Sequence, residues 1–485
     1  MIDARKFYVN GTWVDAVDGR DHVVIDPATE EPCTVISLAG AADVEAAVAA
    51  AKAAFPAWMA TSPGERIALV ERFLAIYKTR SEDIAQAVSR EMGAPITLAR
   101  NAQAPIGARH VENFLRAAKA FEFSQALGPE WPETRIVHEP IGVCVLITPW
   151  NWPLNQISLK VTAALLAGCT MILKPSEQSP LNAALFAECI DEAGIPRGVF
   201  NLVNGDGAGA GTLLTSHPDV DMVSFTGSTR AGIAISKAAA DTLKRVSLEL
   251  GGKGANIIFR DADDAAVERG VRQMMNNTGQ SCNAPSRMLV QRDIYDQAVE
   301  RAAMAANAIK VGQPSAEGPH IGPVVNAVQW AKIQGLIQTG IDEGARLVAG
   351  GPGRPEGFNR GYYVRPTVFA DVGNDMTIAR EEIFGPVLTM IPFDTEEEAV
   401  AIANDTVYGL TNYVQTQDGG RANRVALALR SGMVEINGKP RGPGAPFGGM
   451  KQSGNGREAG IWGLAEFMEV KAIGGWTPEQ ESSAR

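Results

Sequence analysis

From Gly142 onward, short runs rich in apolar and β-branched residues alternate with longer stretches whose apolar positions recur at helical spacing, the pattern of parallel βαβ units. The runs are Gly142–Thr148, Cys169–Lys174, Val199–Val203, Asp221–Phe225 and Arg245–Leu248, each short enough for a strand covered on both faces. The stretch after Asn151 shows an intervening helix most clearly. Pro153 suits a first turn, Leu154, Ile157, Val161 and Leu165 share one face, and Gly168 can end it. Ahead of this alternation, Ala41–Ala60 and Pro63–Met92 are Ala-rich with interspersed Glu, Arg and Lys, and predict amphipathic helices on the same sheet. After Gly251 and Gly252 the alternation restarts, with strands expected at Ala255–Phe259 and Arg287–Val290 and helices at Asp263–Asn277 and Tyr295–Ala308. Later strands are expected at Tyr363–Phe369, Val387–Phe393 and Met433–Asn437, and Gly350–Gly361 reads as a surface loop. The expected class is therefore α/β, with two parallel-sheet domains. Phe121–Pro140 and the tail Phe467–Arg485 fit neither alternation and read as extended arms, which usually bury themselves on another subunit; a homo-oligomer is expected.

A length of 485 residues gives a prior of roughly three compact units. Acidic residues outnumber basic ones, 55 to 44, which argues against a surface built for nucleic acid or an anionic membrane. The five cysteines, Cys33, Cys144, Cys169, Cys189 and Cys282, show neither CxxC pairs nor metal-ligand spacing, so neither a disulfide framework nor a metal site is expected, and the reading is a reducing compartment. The first residues lack a basic segment followed by an apolar one, and no run of about 18 apolar residues occurs, so a soluble cytoplasmic protein is expected. The sequence shows no internal repeat.

Candidate chemistry lies at the ends of the predicted strands. Phe225-Thr226-Gly227-Ser228-Thr229-Arg230-Ala231-Gly232 runs from strand through a small-residue turn into a helix, suiting either a pyrophosphate at the helix start or a plain Ser cap. A second cluster, Gly205, Gly207, Gly209 and Gly211, has GxGxxxG spacing rather than the GxGxxG dinucleotide fingerprint. Lys174-Pro175-Ser176-Glu177 follows another strand, where Lys174 and Glu177 could hydrogen-bond an adenosine ribose or simply be solvated. A carboxylate there would repel a 2′-phosphate, which tilts the cofactor toward NAD over NADP. Cys282, in Thr278-Gly279-Gln280-Ser281-Cys282-Asn283-Ala284-Pro285, lies among small and polar residues at a break between helix and strand, where a thiol can be exposed and activated; Cys144, Cys169 and Cys189 lie in apolar stretches. Glu249, ahead of Leu250-Gly251-Gly252-Lys253, sits where a ligand could approach closely and could serve as a base for water. Asn151, in Thr148-Pro149-Trp150-Asn151-Trp152-Pro153, offers an uncharged donor for an oxyanion or a helix cap. Glu381-Glu382-Ile383-Phe384-Gly385-Pro386 places an acid and an aromatic just before a strand.

Taken together, these pieces and Pro446-Phe447-Gly448-Gly449 resemble the aldehyde dehydrogenase superfamily, hydrolytic type, in identity, order and spacing, from about Tyr8 to about Lys471. The resemblance implies a Rossmann-like parallel-sheet cofactor domain, a second α/β catalytic domain and a β oligomerisation arm. The corresponding boundaries are 1–121, 141–248 and 450–466; 249–449; and 122–140 with 467–485. It implies Cys282 as nucleophile, Asn151 with the Cys282 backbone N–H as oxyanion hole, and Glu249 as general base. Cofactor contacts would fall on Trp150, Lys174, Glu177, Gly227, Ser228, Leu250, Glu382 and Phe384, joined from the two glycine-bearing turns by Gly207, Gly211 and Phe225. Lys160 and Glu458 match positions associated with proton relay. Implied too are NAD or NADP as cofactor, a small-molecule aldehyde as substrate, and a dimer or tetramer. Candidate tunnel positions are Trp152, Gln156, Leu159, Ser281, Asn283 and the loop from Arg441 to Phe447. Arg441 or Arg287 could hold a substrate carboxylate or form an ordinary salt bridge. Alternatives are a CoA-acylating semialdehyde dehydrogenase, which the presence of Glu249 argues against, and a non-catalytic binding relative, which would be expected to have lost Cys282, Glu249 or Asn151.

Overall fold

The computed structural model describes residues 1–477; the last eight residues of the expected arm lie outside the described residues. Two seven-stranded sheets dominate. The first runs Arg245–Glu249, Met222–Thr226, Val143–Ile147, Thr170–Lys174, Phe200–Leu202, Phe7–Val9, Thr12–Val14, parallel through its first five strands and antiparallel in the last two pairings. The five predicted runs thus become strands, buried on both faces apart from the start of Arg245–Glu249. The chain leaves Val143–Ile147 toward Thr170–Lys174 on one side and returns to pair Met222–Thr226 on the other. That reversal opens a crevice beyond the carboxyl ends of these strands, where ligands of open α/β sheets bind.

The helix Pro153–Ala167 forms as its sequence predicts, and Gly168 ends it in a left-handed conformation with φ 96°. Every residue in it except Asn155 is buried, because a second helix, Ala104–Ala120, covers the face turned away from the sheet. Truncating a fully buried member such as Ile157 to Ala would cost about 2–5 kcal/mol. The helical region Pro63–Met92 divides at Arg80 into Pro63–Thr79 and Ser81–Met92.

The second sheet runs Arg346–Ala349, Thr367–Ala370, Val387–Phe393, Arg287–Gln291, Ala255–Ile258, Thr411–Gln415, Met433–Ile436, parallel except for its first pairing. Here two expectations need correction. The strand expected at Tyr363–Phe369 begins only at Thr367, since Pro366 offers no N–H to a ladder. The helix expected over Asp263–Asn277 is Ala266–Met275, and it stops because Asn277 and Thr278 turn to left-handed φ of 51° and 58°. A third sheet stands apart from both: Met468–Gly474 pairs antiparallel with Thr134–Pro140, which pairs with Ser124–Ala126. The two segments that fitted neither alternation therefore meet each other. Near the start of the chain, Glu31–Leu38 pairs antiparallel with Arg20–Asp26 and parallel with Ile2–Asp3. No described helix is long and apolar enough to cross a membrane.

Candidate active site

Cys282 sits on a turn held from several directions. Upstream, Asn277, Thr278 and Gly279 carry consecutive left-handed conformations, costly for the two non-glycine residues and maintained by their surroundings. Gln103 Nε2 donates to Asn277 Oδ1 (3.2 Å) and to the Asn151 carbonyl (3.1 Å), and Asn277 Nδ2 donates to that same carbonyl (3.0 Å). Thr278 Oγ1 donates to the Gly322 carbonyl at 3.1 Å. Downstream, Trp152 Nε1 donates to Ser281 Oγ (2.8 Å), and Tyr413 Oη donates to the Asn283 carbonyl (2.6 Å). A Cβ at Gly252 would collide with the Cys282 carbonyl, and one at Gly279 with the Gly385 carbonyl, so both positions admit only glycine without backbone movement.

Asn151, 4% exposed, directs its amide at this turn: Nδ2 donates to the Gln280 carbonyl at 2.9 Å. An amide nitrogen carries two hydrogens, so one remains for a second acceptor. Trp152, rather than Asn151, occupies the N-cap position ahead of the helix Pro153–Ala167.

The Cys282 thiol is partly exposed. Burial of its surroundings, then the carboxyls of Glu382, Glu249 and Glu458, push it up to about 12.

Glu249 ends the strand Arg245–Glu249, is 2% exposed, and neither of its carboxyl oxygens has a hydrogen-bond partner. Burial first, and the nearby Glu458 charge second, raise it well above the usual carboxylate range, opposed by Lys160 and Arg457. Lys160 and Glu458 come together as a buried pair at 2.7 Å, and Lys160 Nζ also donates to Ser224 Oγ at 2.9 Å.

The remaining candidates follow strands of the first sheet or precede the strand Val387–Phe393. Ser228 caps the helix Thr229–Ala239, its Oγ accepting from the Ala231 N–H at 3.3 Å, as the capping reading of that turn has it. Phe225 is buried with its ring against Gly227, and Leu250 is buried against Gly232. Gly207–Gly211 forms a π-helical turn capped by Asp206, whose side chain accepts from the Gly209 N–H. Lys174, 3% exposed, donates to the carbonyls of Gly205 (2.6 Å) and Pro175 (3.0 Å), and burial lowers it below the usual lysine range despite Glu177 and Asp206. Glu177 is partly exposed beside it. Glu382 accepts from the Gly252 N–H at 2.8 Å, and burial raises its carboxyl. Phe384, at φ 61°, sets its ring edge-on to Trp150 with centroids 5.5 Å apart. Gln329 Nε2 holds that loop through the carbonyls of Ile383 (3.0 Å) and Phe384 (2.9 Å).

These residues fit a dinucleotide. A Cβ at Gly251 would lie 2.5 Å from Glu382 Oε2, so the glycine leaves room for the carboxylate over bare backbone, and Lys174 retains one of its three donors.

A cleft of about 570 Å³ reaches Cys282 from another side. Trp152, Gln156, Leu159, Ser281, Asn283, Arg441 and Phe447 line it, as the sequence suggested. Arg287 does not: it is fully buried and donates to the carbonyls of Lys253, Ile402 and Ala403 and to Asn374, so the substrate-carboxylate reading fails for it. Sequence reasoning passed over Gln103, Asn277, Tyr413 and Gln329. Of these only Asn277 carries a local signal, since Asn-Asn-Thr-Gly suits left-handed turns.

The model of the aldehyde dehydrogenase family matches residues 13–473. Among curated proteins, 3-succinoylsemialdehyde-pyridine dehydrogenase of a Pseudomonas species is 52% identical, over 98% of this chain and 99% of its own. Among solved structures, an aldehyde dehydrogenase from Bartonella henselae superposes with TM-score 0.97 at 58% identity, covering 98% of this chain and 100% of the other. A variant of aldehyde dehydrogenase C from Pseudomonas syringae, complexed with NAD+ and octanal, gives TM-score 0.96 at 51% identity, with coverage of 98% and 97%.

Proposed function

The chain belongs to the aldehyde dehydrogenase family and oxidises an aldehyde to its carboxylic acid, and from that premise we propose that Cys282 is the nucleophile, Asn151 the oxyanion donor and Glu249 the base. The observation that carries this reading is a partly exposed thiol on a turn to which a buried amide is tethered through the Gln280 carbonyl, with a buried, partnerless carboxyl near enough for its charge to raise the thiol.

An aldehyde is a poor hydride donor because its carbon is already electron-deficient. Cys282 Sγ adds to that carbon as its proton passes to solvent in the cleft, giving a tetrahedral thiohemiacetal oxyanion. The remaining Asn151 amide hydrogen and the Cys282 N–H stabilise the oxygen, whose electrons re-form the carbonyl as hydride departs and a thioester results. When bound, the nicotinamide dinucleotide supplies the acceptor for that hydride. The ionised Glu249 carboxylate then takes a proton from the water that attacks the thioester, and the acid leaves as the Cys282 sulfur is released.

The cofactor would be held by Lys174 and Glu177 at the adenosine ribose, and by Gly207, Gly211, Phe225, Gly227 and Ser228 along the turns that face the phosphates. Trp150, Leu250, Glu382 and Phe384 would hold its nicotinamide end. Glu177 favours NAD over NADP by repelling a 2′-phosphate. Residues 1–121, 141–248 and 450–466 form the cofactor unit, 249–449 the catalytic unit, and 122–140 with 467–485 the arm through which a cytoplasmic dimer or tetramer assembles. Exposed Leu127, Trp131 and Val470 on the arm support that role. NADH formation with a panel of aldehydes, measured for the wild type and for Cys282→Ala, tests the reading; wild-type turnover in the variant contradicts it.

A further inference from the structure

The cleft that leads to Cys282 is unusually rich in amides for a channel receiving a small organic molecule. Asn113, Asn155, Gln156, Gln273, Asn276 and Asn283 all line it. A long alkyl chain laid against these groups would strip them of water without replacing the hydrogen bonds, a cost of about 1–3 kcal/mol for each group left unsatisfied. The lining therefore favours a polar occupant.

The charges in the cleft narrow its chemistry further. Arg441 is already engaged: Nε lies 3.3 Å from Glu435 Oε1, an Nη donates to the Pro446 carbonyl at 3.2 Å, and the guanidinium stacks 5.4 Å from the Phe447 ring centroid. His110 shares a 2.6 Å hydrogen bond with Asn155 Oδ1, and burial lowers it to about 4, so it is neutral near pH 7. Arg109 differs from both. It lines the cleft, is exposed, and among the described residues forms no hydrogen bond or ion pair. It lies in the helix Ala104–Ala120, whose packing on Pro153–Ala167 fixes where its stem begins.

We propose that Arg109 is a specificity-determining residue that receives an anionic group at the far end of the substrate, so that the preferred aldehydes carry a carboxylate remote from the carbonyl. The proposal rests on the reading that Cys282 holds the aldehyde carbon, and it adds the chemistry of the substrate's other end. A guanidinium presents paired N–H donors that match a carboxylate, and its charge draws an anion into the cleft before the carbonyl meets the thiol.

The test is a matched series of ω-carboxylated aldehydes of four to eight carbons against the unsubstituted aldehydes of equal length, assayed for NADH formation with wild type, Arg109→Gln and Arg109→Lys. The expected result is at least one carboxylated member favoured in kcat/KM by about tenfold or more over its neutral counterpart. Arg109→Gln should erase that preference through KM, Arg109→Lys should keep part of it, and all three should oxidise the neutral aldehydes within about twofold of one another, a margin too small to signal a lost interaction. No preference in the wild type, a preference that survives Arg109→Gln, or an equal loss for both substrate classes overturns the proposal. Failure to oxidise any aldehyde would instead count against the role of Cys282, so the two failures are distinguishable.

Discussion

Asn151 Nδ2 lies 2.9 Å from the Gln280 carbonyl oxygen, so the residue that follows the strand Val143–Ile147 is fastened to the turn that carries the thiol in the other α/β unit. The bond orients the amide and leaves its second hydrogen directed by the same geometry. Asn151→Ala removes an oxyanion donor, and kcat should fall by about 10²–10³-fold. Steady-state kinetics should show that fall with the KM for NAD little changed; a kcat within about twofold of wild type would remove Asn151 from the mechanism, since that is far below the cost of a lost donor.

If Glu249 is the base, as proposed, the Lys160–Glu458 pair bears on its pH dependence. Glu249 must be ionised to accept a proton, and its raised affinity for protons places the acid limb of deacylation above the usual carboxylate range. Glu458 pushes it up and Lys160 holds it down. Glu458→Gln should therefore move the acid limb of kcat to lower pH, and Lys160→Met should move it higher. Profiles measured under saturating substrate check this, and shifts in the same direction for both variants would contradict it.

A stability effect of definite sign comes from Glu91, buried where the helix Pro180–Glu192 begins. Its oxygens accept from the Leu181 N–H (2.6 Å) and Asn182 Nδ2 (2.8 Å), yet burial pushes it up to about 8. The folded state then binds this proton more tightly than the unfolded chain, where a glutamate titrates near about 4.3. Its contribution is full below that value and is lost as pH rises toward about 8. Glu91→Gln, able to donate to the unpartnered Asn182 Oδ1, should flatten the decline of Tm across this window. An unaltered Tm profile would show that Glu91 does not titrate there.

The proposed preference for NAD is tested at Glu177. With its carboxylate replaced in Glu177→Gln, kcat/KM for NADP should rise by about tenfold or more relative to NAD, the scale of removing one like-charge repulsion near a surface. An unchanged ratio would defeat the assignment.

Much of this was readable because local rules and the global fold agree. Pro153 and Gly168 bound a helix whose stripe of Leu154, Ile157, Val161 and Leu165 announces its buried face. Other elements hide. The helix Ala104–Ala120 opens on Ala104-Pro105-Ile106-Gly107, which reads as a break, although proline is well tolerated in a first turn. The strand Thr411–Gln415 lacks an apolar signature, yet it lies inside a sheet because its polar side chains are satisfied there: Asn412 Oδ1 accepts from the Ala255 N–H at 2.8 Å, and Gln415 Nε2 donates to Asn256 Oδ1 at 2.9 Å. Cys282 stands out in the sequence by its small, polar neighbours, but the charges around it do not. Three carboxyls from distant parts of the chain, Glu382, Glu249 and Glu458, converge on it only after folding. Arg109 is silent for the same reason, since an unpaired arginine is recognisable only once its surroundings are assembled.

The most direct test of the account is intact-mass measurement of Glu249→Gln mixed with NAD and an aldehyde, alongside Glu249→Gln/Cys282→Ala. The account predicts a burst of one NADH per site, a protein heavier by the acyl group bound as thioester, slow release thereafter, and no adduct in the double variant. Undiminished steady-state turnover in Glu249→Gln, or an adduct that persists without Cys282, would contradict it.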